Sequence, residues 1–231
     1  MMPLVLVPGH LCDARVYAPQ IAALSGTADV IIAETGRDNS IALMAERVLQ
    51  DAPEQFVIAG LSMGGMVAME VMLRAPERVL GAALWSTDPH AASDKERAWR
   101  AAMKAGVAQH GLAHFVDRFA AAFYRHDDDV SGRLLAPSRT MMLDTPVDVY
   151  ERQAEALDGR REMIAALEGW AGPVEIVVGA EDRICPPEPH RTLARALPGG
   201  SLSVVPGCGH ISTLEAPGVV TASLRRLFNS G

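Results

Sequence analysis

Apolar residues form short uninterrupted runs in the first third of the chain and again near its end. The runs in the first third cover residues 4–7, 29–33, 56–59 and 79–85. They do not alternate apolar with polar positions, which is typical of strands that helices cover on both faces. The segments between them have apolar residues at helical spacing. Strands and helices in this alternation predict a parallel, doubly wound α/β sheet.

Helices are predicted between these strands at residues 16–24, 41–50 and 63–74. Ser40 precedes the second helix, and its side-chain oxygen can accept from the free N–H groups there, as helix N-caps do. The third helix is expected to end before Ala75, because a proline follows at position 76 and disfavours helical backbone in the residue before it.

The pattern changes between about residues 89 and 169, where no convincing strand is found. Helical spacing covers residues 96–107, 112–124 and 147–157, interrupted by aspartates at 127–129 and by Ala-Pro-Ser at 136–138. One crossover between strands does not need about eighty residues. We therefore predict a helical insertion that forms a lid over the carboxyl edge of the sheet. A set of ordinary crossover helices is the alternative.

Strand patterns resume at residues 174–179 and 201–205, with helices predicted at 187–196 and 214–228. The sheet is therefore expected to have about six strands, mostly parallel. A chain of 231 residues can bury one large core, and no internal repeat or second core is evident. We predict a single α/β domain over residues 1–231 that carries the lid insertion at about 89–169.

The net charge and the cysteines indicate which binding partners and which cellular compartment to expect. The net charge of −7 argues against nucleic acid and anionic membranes as partners. No apolar stretch approaches membrane-spanning length, and the first residues lack the basic region and cleavage site of a signal peptide. The cysteines at positions 12, 185 and 208 have no metal-type spacing, so reduced thiols are expected. We therefore expect a cytoplasmic protein.

The segment 56–69 gives the first chemical signal, because the sequence Gly60-x-Ser62-x-Gly64 lies between a predicted strand and a predicted helix. A serine at such a sharp turn has a strained backbone, and its neighbours must be small for strand and helix to close together. The helix that follows directs its first N–H groups toward the serine. Ser62 is therefore a candidate nucleophile. An ordinary glycine-rich turn is the alternative.

A serine hydroxyl needs a base to remove its proton, and His210 is the candidate among seven histidines. It follows the last predicted strand in the sequence Gly207-Cys208-Gly209-His210, whose glycines allow the loop to turn toward the carboxyl edge of the sheet. Chemistry collects at that edge in open α/β sheets. The alternative is a loop histidine that only forms hydrogen bonds with the backbone.

The base needs an acid that fixes its tautomer. Asp182 directly follows the predicted strand 174–179 and is preferred. Asp88, after the fourth strand, and Glu181 are the other candidates. A solvated loop carboxylate or a helix cap is the alternative for each of them.

A tetrahedral intermediate needs N–H donors for its oxyanion. One is expected from Met63, directly after the serine at the start of the helix. The second is expected from the loop after the first strand, where Gly9 allows a close approach to substrate. His10 is the preferred donor there and Leu11 is next. The alternative is that Gly9 only ends the strand.

These motifs resemble the α/β-hydrolase superfamily over nearly the whole chain. Residues 60–65 (GLSMGG) resemble its nucleophile elbow, residues 179–182 (GAED) its acid turn, and residues 209–210 its histidine loop. The order Ser62, Asp182, His210 is also that of the superfamily. The chain is most similar to small, lid-bearing esterases, which include carrier-protein methyl-ester esterases, enol-lactone hydrolases and carboxylesterases.

Two features depart from this resemblance. Pro8-Gly9 stands where many relatives have His-Gly, and His10 stands where an aromatic or apolar residue is usual. The chain also lacks the two antiparallel strands that open many members, which again leads us to expect about six strands.

The resemblance implies a serine esterase in which Ser62 attacks a small-molecule ester, lactone or thioester and forms an acyl-enzyme. His210 would act as base, and the Met63 and His10 N–H groups would bind the oxyanion. No metal or organic cofactor is implied. Other enzymes with the same triad are alternatives, namely C–C bond hydrolases, cofactor-free perhydrolases and lyases. A binding protein without catalysis is a further alternative, which an intact triad disfavours.

The predicted lid gives weaker indications of substrate. Apolar side chains there are candidates for an acyl pocket or for ordinary core, namely Trp99, Phe119, Phe123, Met141 and Met142. Arg160 and Arg161 are candidates to meet a substrate carboxylate, although two solvated arginines are the more common situation. Cys12 and Cys208 are expected to flank the site as small buried residues and not as nucleophiles.

Overall fold

The computed structural model describes residues 1–123 and 129–229, with the side chains of residues 119, 121 and 129–132 outside the description. Six strands form one sheet in the order β2-β1-β3-β4-β5-β6, and every neighbouring pair is parallel. The predicted six-stranded α/β sheet is therefore confirmed. The strands are β1 (Met2–Val7), β2 (Ala28–Ile32), β3 (Phe56–Leu61), β4 (Val79–Trp85), β5 (Val174–Gly179) and β6 (Gly200–Val205).

Helices cover both faces of the sheet, as the uninterrupted apolar strands predict. In chain order the helices are α1 (Ala18–Ala23), α2 (Ile41–Asp51), α3 (Met63–Arg74), α4 (Asp94–His110), α5 (Leu112–Phe119), α6 (Asp129–Leu143), α7 (Val147–Asp158), α8 (Ile164–Leu167), α9 (Pro187–Ala196), α10 (Ser212–Glu215) and α11 (Pro217–Phe228). One apolar cluster packs α2, α3 and α9 against one face, and a second packs α1 and α11 against the other. The central strand β3 is buried along its whole length.

Prolines divide two of the predicted helices. The helix expected at residues 16–24 is a 3₁₀ turn, Ala14–Tyr17, followed by the short α1, whose second residue is Pro19. The helix expected at 214–228 is divided into α10 and α11, because Ala216 precedes Pro217 and adopts a non-helical backbone.

The opposite occurs in α6, which continues through Pro137 although the sequence analysis took residues 136–138 as an interruption. A proline within a helix removes one backbone hydrogen bond, and the helix tolerates this loss when packing supports it. Thr140 donates its hydroxyl to the Ala136 carbonyl one turn earlier.

Helices α4 to α8 occupy the segment between β4 and β5, where no strand was predicted. They have an apolar cluster of their own that includes Phe115, Val116, Met142 and Tyr150 and contacts Leu11 of the loop after β1. The helix predicted at 112–124 is α5 followed by a 3₁₀ turn, Ala120–Phe123. Its predicted last residue, position 124, and the aspartates at 127 and 128 lie outside the described residues.

Among the residues described, no helix combines the length and the apolar character needed to cross a membrane.

Candidate active site

Ser62 lies at the turn between β3 and α3, with φ of 57° and ψ of −118°. This strained backbone is tolerated because glycines line the turn. A Cβ on Gly60 would lie 2.1 Å from the Gly64 carbonyl oxygen, and one on Gly64 would lie 1.9 Å from the Val7 carbonyl oxygen. Both contacts are impossible for real side chains, so the packing of strand against helix requires glycine at positions 60 and 64 and thereby fixes Ser62 at the carboxyl edge.

His210 reaches Ser62 from the loop after β6. Its Nε2 lies 3.0 Å from Ser62 Oγ, and its Nδ1 lies 3.0 and 2.9 Å from the two carboxylate oxygens of Asp182. The acid turn and the histidine loop pack closely, since a Cβ on Gly179 would lie 2.2 Å from the carbonyl oxygens of Cys208 and Gly209. The structure thus brings the three residues selected from the sequence into one hydrogen-bonded chain.

Asp182 is buried yet ionised. Burial raises its pKa and is the largest single influence, but the attraction and hydrogen bond of His210 and the backbone N–H groups of Cys185 and Ile184 together hold it below the usual value. Those two N–H groups donate to Oδ1, each at 2.9 Å. A buried carboxylate stabilised in this way can fix the imidazole and balance a positive charge on it.

The two other acid candidates lie elsewhere. Asp88 accepts hydrogen bonds from the backbone N–H and from Nδ1 of His90, both through Oδ1. Glu181 is exposed and accepts from the Gly207 N–H at 3.1 Å. Of the three candidates, Asp182 is the one in contact with His210.

The two segments predicted to supply oxyanion donors lie side by side at this edge. A Cβ on Gly9 would lie 3.4 Å from Ser62 Cβ, so the loop after β1 runs directly beside the serine. The Leu11 N–H donates to Gln153 Oε1 of α7 at 3.0 Å and is therefore occupied. Within the described part of the chain, the N–H groups of His10 and Met63 have no acceptor. These two donors remain available, in the order of preference that the sequence predicted.

Sequence reasoning missed the side chains that support the turn. The Tyr17 hydroxyl accepts from the Leu61 N–H at 3.1 Å and donates to the Val7 carbonyl, which ties β1 to β3 beside Ser62. Thr87 donates its hydroxyl to the Ser62 carbonyl at 2.8 Å, and its own N–H donates to His190 Nε2. These contacts join residues that are far apart in the chain, and no local sequence pattern indicates them.

A cavity of about 100 Å³ adjoins Ser62 beneath the helices of the β4–β5 segment. Trp99 and Phe123, both proposed from the sequence as acyl-pocket residues, contribute to its wall. Met141 and Met142 are instead buried in apolar clusters and do not line the cavity. The side chain of Phe119 lies outside the described residues. Trp99 and Ile184 are each 44% exposed and also line the cavity.

Phe123 also connects this segment to the catalytic loop. Its carbonyl oxygen accepts from the N–H groups of His210 and Ile211 at 2.9 and 3.2 Å, and its ring centre lies 5.7 Å from that of the His210 imidazole. The position of the His210 loop therefore depends on a residue of the helical segment as well as on β6.

Arginine–carboxylate pairs form one wall of the cavity. Arg100 donates to Asp158, and Arg160 donates to Glu96 at 2.6 Å and to the carbonyls of His90 and Leu157. Burial is the largest single influence on Glu96 and raises its pKa, but the hydrogen bonds from Ser93 and Arg160 and the charge of Arg160 together lower it to about 2. Each of the three guanidinium nitrogens of Arg160 thus donates a hydrogen bond within the protein.

Arg161, the second arginine considered from the sequence, is not part of the cavity wall. It pairs with the buried Glu70 of α3 at 2.9 Å. Cys12, Cys185 and Cys208 are free thiols, and Cys185 lines the cavity.

The imidazole of His10 stacks on the Tyr150 ring, with 5.4 Å between centres. Burial, reinforced by the nearby charge of Arg100 and opposed by a hydrogen bond to the Tyr150 backbone, lowers the pKa of His10 to about 4. The side chain is therefore neutral near pH 7.

Comparison with known proteins shows the family of the chain. Residues 4–224 match the family described as the alpha/beta hydrolase family. The chain belongs to the α/β-hydrolase family. The resemblance inferred from residues 60–65, 179–182 and 209–210 is thereby confirmed at the level of the family and its esterase-like members.

Proteins similar to this α/β hydrolase are named for different enzyme activities. It is 27% identical over 226 residues to a pimeloyl-(acyl-carrier protein) methyl ester esterase of Aromatoleum aromaticum, covering 92% of this chain and 86% of that one. The enol-lactonase of Burkholderia xenovorans LB400 superposes with a TM-score of 0.88 at 23% identity, covering 99% and 91% of the two chains. A bromoperoxidase of Bacillus anthracis superposes with a TM-score of 0.85 at 18% identity, covering 99% and 92%. The two superpositions show the shared fold.

Proposed function

We propose that this chain is a serine carboxylic-ester hydrolase that cleaves a small, largely apolar ester, lactone or thioester through an acyl-enzyme on Ser62. The observation that carries the proposal is the continuous chain of hydrogen bonds from Ser62 Oγ through His210 to Asp182, beside a cavity. The esterase-type relative supports the same chemistry.

In the acylation step, Ser62 Oγ attacks the ester carbonyl carbon while His210 Nε2, 3.0 Å away, takes its proton. The carbonyl oxygen becomes an oxyanion and accepts from the N–H groups of His10 and Met63, which lack other acceptors among the described residues. Met63 is the first residue of α3, so the helix dipole adds to this stabilisation. The carbon–oxygen bond to the alcohol then breaks, and His210 returns its proton to the leaving alcohol.

In the deacylation step, water attacks the acyl carbon and gives a proton to His210. The bond to Ser62 Oγ breaks, the proton returns to the serine, and the acid is released. Asp182 remains ionised throughout and stabilises the imidazolium that forms in each half of the reaction.

The proposed substrate is small because the cavity of about 100 Å³ is well below the size of typical drug-sized sites. Its lining includes apolar side chains from α3, α4 and α7, namely Met66, Trp99, Ala154 and Leu157. We further propose that residues 89–169 act as a lid within a single domain, since their helices form much of the cavity wall. The three free thiols fit the cytoplasmic location that the sequence predicts.

The test is a panel of short-chain and long-chain esters, lactones and thioesters assayed with the wild-type protein and with Ser62→Ala. We expect the short esters to be hydrolysed and the variant to lose at least about 10⁴-fold in kcat, as removal of a triad serine does elsewhere. Ser201→Ala, at an exposed serine of β6, is the matched control.

A variant that keeps more than about a hundredth of the wild-type rate contradicts the assignment of Ser62. A wild-type protein that is inactive on all esters, but cleaves a carbon–carbon bond or forms peracids, would show that the same triad performs another reaction.

A further inference from the structure

The carbonyl oxygen of Ser62 accepts a hydrogen bond that the proposed mechanism does not use. Thr87, two residues after the end of β4, donates its hydroxyl to this oxygen at 2.8 Å. The first turn of α3 supplies two further donors, the N–H groups of Gly65 at 2.9 Å and of Met66 at 3.3 Å. Of these three donors, Thr87 is the one that lies outside the helix.

Close packing fixes the position of Thr87. Ser86, the residue before it, has a φ of 45°, which lies in the left-handed region that residues other than glycine rarely adopt. The Ser86 N–H donates to the Val177 carbonyl of β5 at 2.9 Å. A Cβ on Gly65 would lie 2.6 Å from Thr87 Cβ, so the buried threonine rests directly on the first turn of α3. This packing requires glycine at position 65.

His190 of α9 holds the backbone of Thr87. Its Nε2 accepts from the Thr87 N–H at 2.8 Å, and its Nδ1 lies 3.0 Å from the Pro186 carbonyl oxygen. A backbone N–H can only donate and a carbonyl can only accept, so Nδ1 carries the proton and the ring is neutral. The ring is fully buried, and burial is the largest influence that lowers the pKa of His190.

The Ser62 carbonyl and the Met63 N–H belong to the same peptide group. Peptide groups are planar, and since no cis peptide occurs in the described chain, this C=O and N–H point in opposite directions. A donor that fixes the oxygen therefore also fixes the direction of the N–H. Hydrogen bonds in a chain polarise one another, so a donor to the oxygen also makes the Met63 N–H a stronger donor.

We propose that Thr87 is a positioning residue for the oxyanion, which it stabilises through the peptide between Ser62 and Met63. His190 keeps Thr87 in place for this role. The inference rests on the proposed function, in which the Met63 N–H binds the oxyanion. Loss of a whole oxyanion donor lowers kcat by about 10²–10³, and polarisation changes a hydrogen bond by about 10–30%. A loss of about threefold or more is therefore expected without the Thr87 hydroxyl.

Thr87→Ser and Thr87→Ala form the test pair, because they differ only by the hydroxyl oxygen and both lack the methyl group. Each is assayed on a short ester and with two inhibitors, a short-chain trifluoromethyl ketone and the corresponding alcohol. Ser62 Oγ adds to the ketone carbon, the serine proton passes to His210, and the ketone oxygen becomes an oxyanion. The alcohol forms no such adduct and measures binding in the cavity alone.

In Thr87→Ala, relative to Thr87→Ser, we expect kcat/KM to be lower and the Ki of the ketone to be higher, each by at least about threefold. The Ki of the alcohol should be equal in the two variants, because its binding involves no oxyanion. Thr221→Ala, at a buried threonine of α11 that does not line the cavity, is the control and should keep the wild-type values. Thermal unfolding shows whether each variant is folded.

A second pair tests the same peptide from His190. The side-chain oxygen of His190→Gln can accept from the Thr87 N–H, whereas His190→Leu has no acceptor. The Ki of the ketone should be at least about twofold higher in His190→Leu than in His190→Gln, with the Ki of the alcohol equal. This pair decides the question if Thr87→Ala does not fold.

Equal Ki values of the ketone within the folded pair would overturn the inference. Parallel increases for the ketone and the alcohol would also overturn it, since they would assign the Thr87 hydroxyl to packing alone. Failure of the proposed function has a different result, in which the wild-type protein hydrolyses no ester and binds the ketone no better than the alcohol.

Discussion

The carboxyl edge of the sheet and the helical segment above it are built in different ways. At the edge, backbone contacts fix the site: glycines 60, 64 and 179 each face a backbone atom where no side chain fits. In the segment α4–α8, side chains join one helix to the next, through an apolar cluster and through ion pairs such as that of Arg100 with Asp158. The edge therefore holds the hydrogen-bonded chain of Ser62, His210 and Asp182, while helices of the segment form much of the wall of the adjoining cavity.

The two regions meet at Phe123 and at the loop after β1. The Phe123 carbonyl accepts from the His210 N–H, and Gln153 of α7 accepts from the Leu11 N–H, whereas the His10 N–H of the same loop has no acceptor among the described residues. Substitutions in the two regions should consequently have separable effects, and the predictions below test that separation.

The largest effect is expected at the acid. Asp182→Asn should keep the fold, because an amide oxygen still accepts from Ile184 and Cys185, but lower kcat by about 10⁴, since an amide cannot balance the imidazolium. Asp88→Asn, which changes a carboxylate paired with His90, should cost much less. Steady-state kinetics on one ester compare them. The reverse ranking would contradict the assignment of Asp182 and leave Ser62 and His210 in place.

The next largest effect is expected on stability, at a glycine of the carboxyl edge. Gly64→Ala places a Cβ 1.9 Å from the Val7 carbonyl oxygen and should lower the free energy of unfolding by about 4 kcal/mol or more. Gly169→Ala, after the last helix of the segment, meets no atom within 4 Å and should change it by less than about 1 kcal/mol. Urea denaturation measures both. Similar values for the two variants would contradict the steric account of the edge.

A smaller effect on stability is expected from His10, and it depends on pH. Its pKa falls from an ordinary 6.5 to about 4 in the folded protein, so the unfolded chain binds the proton more readily. The contribution to stability is constant above about pH 6.5 and is lost as the pH falls from 6.5 toward 4. The loss amounts to at most about 3 kcal/mol.

Urea denaturation between pH 4 and 7 measures this slope against that of His10→Gln, which should be flatter. His110→Gln, at an exposed histidine of α4, should keep the wild-type slope. Equal slopes for wild type and His10→Gln would show that His10 is not held neutral by its surroundings.

The strands, the turn at Ser62 and the histidine loop could be predicted because their causes are local. A strand that is buried on both faces is apolar at nearly every position, and the predicted bounds of β4 and β5 agree with the structure even though β5 contains the buried Glu175, which pairs with Arg226. Gly60 and Gly64 around Ser62 mark backbone positions that exclude side chains, and Gly207 before His210 has a positive φ of 70°. Such signals lie within a few residues of each other in the chain.

The cavity could not be predicted in the same way because its polar wall joins distant residues. Arg100 meets Asp158, and Gln153 meets Leu11, only once the helices have packed. The sequence drew attention to Arg160 and Arg161, whereas the structure places Arg100 and Arg160 in the cavity wall. The effect of a proline was equally hard to predict from the sequence, since Pro217 divides α10 from α11 whereas Pro137 lies within α6.

The central claim is that Ser62 is the nucleophile, and the most direct measurement is the site of covalent labelling by a reactive phosphate ester such as diethyl 4-nitrophenyl phosphate. The account predicts one adduct per chain, mapped by peptide mass spectrometry to Ser62, with loss of ester hydrolysis in proportion to labelling and no adduct in Ser62→Ala. An adduct on another residue, or full ester hydrolysis by a protein labelled at Ser62, would contradict the account.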